Sequence, residues 1–162
     1  MTDHGVLHLL CGKMAAGKST LATHLSQREH CVMLSEDSLL SGLYPGEVVD
    51  VDSYVKYTDR IKQALGPHIS SLLRNGLSVV LDFPANTVPQ REWLLSLAKQ
   101  ADAAHELHYL PRSDEQCKAR LAQRAIEIPE RRATDTPQMF DAMRPYFEPP
   151  LDSESLHVIV HR

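Results

Sequence analysis

Short apolar runs alternate with amphipathic stretches along this chain. Val6–Cys11 (VLHLLC) is an apolar run that stops at Gly12 and reads as a buried strand. Lys18 to about Arg28 carries Leu21, Ala22 and Leu25 at helical spacing. Cys31–Ser35 reads as a second buried strand, and the GLYPGE stretch breaks the chain near residue 45. Asp52–Arg74 has helical periodicity, but Gly66-Pro67 inside it predicts a kink or a split. Asn75-Gly76 ends that segment, and Leu77–Phe83 is a third strand. Thr87 is placed to cap an amphipathic helix over Val88–Ala101. His105–Leu110 alternates as a fourth strand, and Ser113 caps a helix of about thirteen residues after it. A polar, arginine-rich stretch follows, then a short helix capped by Thr136 and ended near Pro149-Pro150. Leu156–Val160 is the last strand. The alternation predicts an α/β protein: a parallel sheet with helices on both faces.

Composition narrows the class. With 162 residues, 43% of them hydrophobic and 23% charged, the chain is sized for one globular domain. A net charge of −4 counts against a general nucleic-acid surface. No apolar run has the length of a membrane span, and the N-terminus lacks the basic region of a signal peptide. Cys11, Cys31 and Cys117 are odd in number and unclustered, so no disulfide framework is expected, and the expected compartment is the cytoplasm. The nine histidines include the HELH stretch, but in a strand His105 and His108 point to opposite faces. With no cysteine or second histidine pair to complete a site, scattered histidines are the expectation.

The chemistry starts at Gly12. Gly12-Lys13-Met14-Ala15-Ala16-Gly17-Lys18-Ser19 fits G-x-x-x-x-G-K-[ST], and Thr20 follows it into the helix. Glycines let the backbone curl so that successive N–H groups face one anion. The positive end of the helix dipole then faces the same phosphates. Lys18 would reach the β- and γ-phosphates, and Ser19 would hold Mg²⁺.

Other motifs decide what happens to the phosphate. Neither asparagine, Asn75 or Asn86, precedes a lysine, so a guanine-specific switch is excluded. Phe83 follows the strand-end Asp82 where a motor ATPase carries a water-orienting glutamate. Transfer to a hydroxyl needs a carboxylate for the hydroxyl proton and basic groups for the moving phosphoryl. Asp37 stands just past the second strand, at the carboxyl edge where open α/β sheets bind ligands, as the candidate base. The competing reading is that Glu36 or Asp37 caps the following helix. Asp82 ends the third strand at the same edge, as a metal or substrate ligand. Six basic residues lie between Arg112 and Arg132, with Arg120 and Arg124 one helical turn apart. The stretch from about residue 126 to 137 reads as a lid.

LLCGKMAAGKSTLA, VMLSEDSLL, GLSVVLDFPANTVPQREW and CKARLAQR resemble the predicted-kinase family of small P-loop proteins. That group is related to chloramphenicol phosphotransferase, zeta toxin, gluconate kinase and polynucleotide 5′-hydroxyl kinase. The resemblance spans nearly the whole chain. It implies a five-stranded parallel sheet of order 2-3-1-4-5 in one domain over residues 1–162. It implies ATP and Mg²⁺, with transfer of the γ-phosphate to a hydroxyl of a small molecule. It implies Asp37 as base, Asp82 and Arg91 as substrate-side or supporting groups, Arg120 at adenine and Arg124 at phosphate. The alternatives are a polynucleotide 5′-kinase and a non-catalytic ATP-binding module. The family's adenine-side helix after the fifth strand is missing, so a loosely held adenine is expected. Glu47, Asp50 and Asp52 fall in the part where relatives differ in acceptor binding; solvated loop acids are the simpler reading.

Overall fold

A computed structural model of the chain describes residues 3–162. Strands β1 (Val6–Gly12), β2 (Cys31–Ser35), β3 (Ser78–Asp82), β4 (Ala104–Leu110) and β5 (Val158–Val160) form one parallel sheet. Their spatial order is β2-β3-β1-β4-β5, as expected. The helices are α1 (Lys18–Ser26), α2 (Glu36–Leu43), α3 (Val51–Arg74), α4 (Val88–Gln100), α5 (Asp114–Glu127) and α6 (Pro137–Met143).

Central β1 is apolar on both faces because helices cover both. Leu7, Leu9 and Cys11 pack with Ile69 and Leu73 of α3 and Leu94 and Leu97 of α4. Leu10 turns the other way, onto Ala22 and Leu25 of α1. Leu7, Leu9 and Leu10 are fully buried, and each such side chain stabilises the fold by about 1.5–3 kcal/mol. A strand held this firmly fixes the start of the loop that leaves it at Gly12.

The helix starts follow the sequence. The side chains of Thr87, Ser113 and Thr136 accept hydrogen bonds from the backbone N–H groups of Gln90, Gln116 and Met139. Each such cap is worth about 1 kcal/mol.

Four elements differ from the expectation. Gly66-Pro67 does not split α3, which runs unbroken for 24 residues. Buried Thr58, Ile61, Ile69, Ser70 and Leu73 hold it on both sides of the proline. Ser70 Oγ also donates to the Leu97 carbonyl at 3.0 Å. Gly66 faces α4: a Cβ there would make ordinary contact with Leu97 Cδ2 at 3.4 Å and Trp93 at 3.7 Å. Strand β2 is half exposed rather than buried, because it is a sheet edge with β3 as its sole neighbour among the described residues. A short apolar run does not reveal whether its strand has one neighbour or two. Helix α6 stops at Met143 and not near Pro149. Pro145 cannot extend the ladder, and a 3-10 turn over Arg144–Tyr146 takes over. Strand β5 is shortened to three residues.

Candidate active site

The loop between β1 and α1 has the shape its sequence asks for. Gly17 sits at φ +102°, a left-handed conformation that favours glycine. A Cβ there would also lie 2.8 Å from Arg120 Nη1. Helix α1 begins with no side-chain cap, so its first N–H groups point toward the loop without a side-chain acceptor. Asn86 Oδ1 accepts from the Gly12 N–H at 3.0 Å and ties the loop's start to the segment after β3. Lys13 is ion-paired to Asp114 at 2.5 Å, and Asp114 to Arg144 at 3.0 Å. Lys18 Nζ donates to the carbonyls of Gly12 at 2.5 Å and Lys13 at 3.0 Å. Burial pushes the Lys18 ammonium pKa down. The lysine thus closes the loop from inside, one swing from any anion bound there.

The carboxyl edge of the sheet adds the acids. Ser19 Oγ donates to Asp82 Oδ2 at 2.9 Å, joining the hydroxyl of α1 to the end of β3. Glu36, Asp37 and Asp82 share with the loop a cleft of about 1020 Å³. Neither Glu36 nor Asp37 is the cap of α2; Ser35 is, accepting from the Ser38 N–H at 3.3 Å. Asp37 is exposed in the first turn. Glu36 is buried and accepts a hydrogen bond from the Tyr54 hydroxyl, and burial raises its pKa. A side alcove of about 160 Å³ opens beside Glu36 and Tyr54 and is also lined by Lys62 and Trp93.

The arginines divide. Arg120 reaches over the loop, with Nη1 3.4 Å from the Ala16 carbonyl. Arg124 also lines the cleft but is held by buried Asp135 through Nε at 2.5 Å and Nη2 at 3.0 Å. Arg131 adds a longer pairing to the same carboxylate at 3.7 Å. The 126–137 segment is thus folded around Asp135, with Ile128, Arg131 and Thr134 toward the cleft.

Of the two roles expected for Arg91, substrate-side or supporting, the structure fits the supporting one and corrects the substrate-side one. Arg91 is fully buried and lies outside the cleft, not at a substrate. Its guanidinium pairs with Glu154 at 2.8 and 3.0 Å and donates to the carbonyls of Ala85 at 3.1 Å and Glu148 at 2.8 Å. With the Pro149 carbonyl at 3.4 Å, these partners consume its five donors and clamp the segment leading to β5 onto α4. Breaking one side of a buried pair is strongly destabilising. Arg91→Ala should therefore lower unfolding free energy by about 3–5 kcal/mol in urea titration. Nucleotide affinity, measured where the variant is folded, should persist; a stable variant that has lost ATP binding would reverse the assignment.

The loop acids also have structural partners. Asp50 caps α3, accepting from the Ser53 N–H at 2.8 Å, and Glu47 accepts from the Tyr57 hydroxyl at 3.5 Å. Asn86 and the Glu36–Tyr54 pair are site features that the sequence reading missed. Asn86 meets Gly12 across 74 positions, and no local spacing signals that contact.

Residues 7–150 match the model of the AAA_33 family, described as an AAA domain, and the chain belongs to that family. No curated protein matches the sequence significantly. A Chloroflexus aurantiacus J-10-fl protein described provisionally as a kinase is 17% identical, with a TM-score of 0.70 over 99% of this chain and 86% of its own. The Mycobacterium tuberculosis APS kinase CysC, solved with AMPPNP and APS, is 15% identical, with a TM-score of 0.60 over 82% of this chain and 76% of its own. A chain of the Pnkp1/Rnl/Hen1 RNA repair complex is 16% identical, with a TM-score of 0.60 over 91% of this chain and 48% of its own. The fold is that of P-loop kinases. Among the described residues, no helix is long and apolar enough to cross a membrane.

Proposed function

We propose that this protein is an ATP-dependent kinase that transfers the γ-phosphate to a hydroxyl of a small molecule. The observation that carries the proposal is the meeting, in one cleft, of the Gly12–Thr20 loop, the Ser19–Asp82 pair and the carboxylate of Asp37. The loop N–H groups and Lys18 bind the phosphates, and Arg120 lies beside the adenine. Asp37 accepts the acceptor's hydroxyl proton as its oxygen bonds to the γ-phosphorus. The bond from that phosphorus to the bridging oxygen breaks, and ADP leaves with the electron pair. Arg124, released from Asp135, supplies positive charge to the moving phosphoryl.

Ser19 and Asp82 offer a hydroxyl and a carboxylate oxygen 2.9 Å apart, a donor set suited to Mg²⁺. Ser19 would ligate the ion directly and Asp82 through water; when bound, Mg²⁺ neutralises phosphate charge. The alcove by Glu36, Tyr54 and Trp93 suits the body of a compact acceptor.

The test is γ-phosphate transfer from labelled ATP to a panel of hydroxyl metabolites, run beside ATP alone and a 5′-hydroxyl oligonucleotide. Transfer to a small hydroxyl compound supports the proposal. Transfer only to the oligonucleotide, or ATP binding with no turnover on any acceptor, overturns it.

The lid reading has its own measurement. Closing over ATP should trade the Arg124–Asp135 pairing for contacts to phosphate. Amide exchange across 126–137 should be fast in the apo protein and slow when ATP and acceptor bind. Exchange that is slow without ligands and unaltered by them would remove the lid.

A further inference from the structure

Away from the phosphate cleft, the sheet gathers histidines that the sequence reading left scattered. His8 lies on β1 opposite Glu106 of β4, and His108 follows two positions along β4 on the same face. His105 faces the other way, as the alternation requires, and its ring accepts from the His157 N–H at 3.0 Å. The His8 and His108 side chains are almost fully buried, whereas that of Glu106 is 30% exposed.

Three atoms converge there. His8 Nδ1 lies 3.0 Å from His108 Nε2 and 3.3 Å from Glu106 Oε2, and His108 Nε2 lies 3.5 Å from the same oxygen. Hydrogen bonds fill this triangle only if the His8 Nδ1–H is shared between His108 Nε2 and Glu106 Oε2 while the His108 Nδ1–H donates to His161 Nε2. If His108 donates to His8, the His8 lone pair is used and no proton is left to face Glu106 from that ring. If both rings donate to Glu106, two N–H groups oppose each other across 3.0 Å.

A cation in place of that shared proton would take all three lone pairs at once. A triangle with these sides has a circumscribed radius of about 1.9 Å. An ion about 2.0–2.2 Å from each atom would sit just off its plane, the bond length of zinc to imidazole nitrogen and carboxylate oxygen. Ligand pairs around a tetrahedral ion at that bond length are about 3.3–3.5 Å apart, which these edges approach.

The surroundings fit as well. His108 Nδ1 is 2.8 Å from His161 Nε2, so the second ring nitrogen of His108 has a partner that fixes the ring and leaves Nε2 as ligand. Arg28, exposed past the end of α1, is a nearby positive charge that opposes a bound cation. Glu106 supplies the compensating negative charge and the opening to solvent.

We propose that His8 Nδ1, His108 Nε2 and Glu106 Oε2 form a binding site for a divalent transition-metal ion of the zinc class. His161 acts as the positioning residue for His108, and water fills the fourth place on the exposed side of Glu106. The site is distinct from the Ser19–Asp82 pair: His8 precedes Gly12 by four residues of extended strand, about 13 Å. Imidazole ligands favour zinc or cobalt over Mg²⁺. The ion would clip β1 to β4 and, through His161, steady the short edge strand β5, whose ladder continues with the His161 N–H to the Tyr109 carbonyl at 2.9 Å.

The test uses the full chain stripped with a chelator, titrated with Zn²⁺ by calorimetry and with Co²⁺ by visible absorption. One ion per chain is expected, with a dissociation constant of about 1 µM or tighter, intense tetrahedral Co²⁺ bands and a melting temperature raised by Zn²⁺. Glu106→Gln, which keeps size at a half-exposed position, should weaken binding at least about 10-fold while leaving ATP affinity unchanged. His161→Ala should weaken it about 10- to 100-fold, and His105→Ala should leave it unaltered. Three results would each overturn the site: no tetrahedral Co²⁺ spectrum, thiolate charge-transfer bands that assign the ion to cysteine, or wild-type affinity in Glu106→Gln. If a buried histidine variant fails to fold, Glu106→Gln still carries the decision.

Discussion

Lys18→Ala should lower phosphoryl transfer by about 10²- to 10³-fold or more, the scale seen when a donor to a transition-state oxyanion is removed. Lys18 Nζ donates to the Gly12 and Lys13 carbonyls, so the ammonium already lies inside the loop. Phosphate binding would exchange those neutral acceptors for charged oxygens, a stronger class of hydrogen bond. Alanine removes both the loop closure and the charge. The backbone carbonyls it leaves behind can be solvated, because the loop lines an open cleft. The fold should therefore persist, and nucleotide affinity should fall together with turnover. A purely structural lysine predicts the reverse: a lower melting temperature with turnover intact below it. Thermal melting, nucleotide titration and single-turnover assays on the one variant separate the two. Unchanged turnover would remove the phosphate-cradle reading altogether.

What the sequence made legible depended on whether the information was local. The loop, its strand, its helix and the three caps at Thr87, Ser113 and Thr136 are set by residues within a few positions of one another. All of these have the structure their spacing predicts. The strand order was implied by the family resemblance, not by periodicity, and it holds. Readings failed where burial is decided by distant chain. Arg91 is left between a substrate-side and a supporting role until Glu154, 63 positions later, folds back to pair with it. Pro67 looks like a break, yet it does not split α3, whose residues on both sides of it are buried. His8 and His108 are unrelated in sequence and become neighbours because β1 and β4 are adjacent and in register. Ligands drawn from neighbouring parallel strands carry no short spacing motif, so only the fold brings them into view.

Asp37→Asn should separate binding from transfer. The carboxylate is exposed in the first turn of α2 and shares the cleft with the loop, so it is placed to meet a bound acceptor rather than to hold the core. Asparagine keeps the size and can accept a hydrogen bond, but it cannot take the hydroxyl proton. Nucleotide contacts lie on the loop and α1, so ATP affinity should barely change. Transfer should fall by about 10²- to 10⁴-fold, the usual worth of a positioned general base. The structural cost is small, because Ser35 rather than Asp37 caps α2. Losing a negative charge near the helix N-terminus costs about 0.3–1 kcal/mol. Glu36 is the control. It is buried, holds the Tyr54 hydroxyl and borders the alcove, so Glu36→Gln should act first on acceptor affinity. Single-turnover transfer with saturating ATP and varied acceptor distinguishes the two variants: a rate defect at saturating acceptor for Asp37→Asn, a raised half-saturation point for Glu36→Gln. Full transfer by Asp37→Asn with a lost rate in Glu36→Gln would move the base to Glu36, whose burial-raised pKa makes it the stronger proton acceptor.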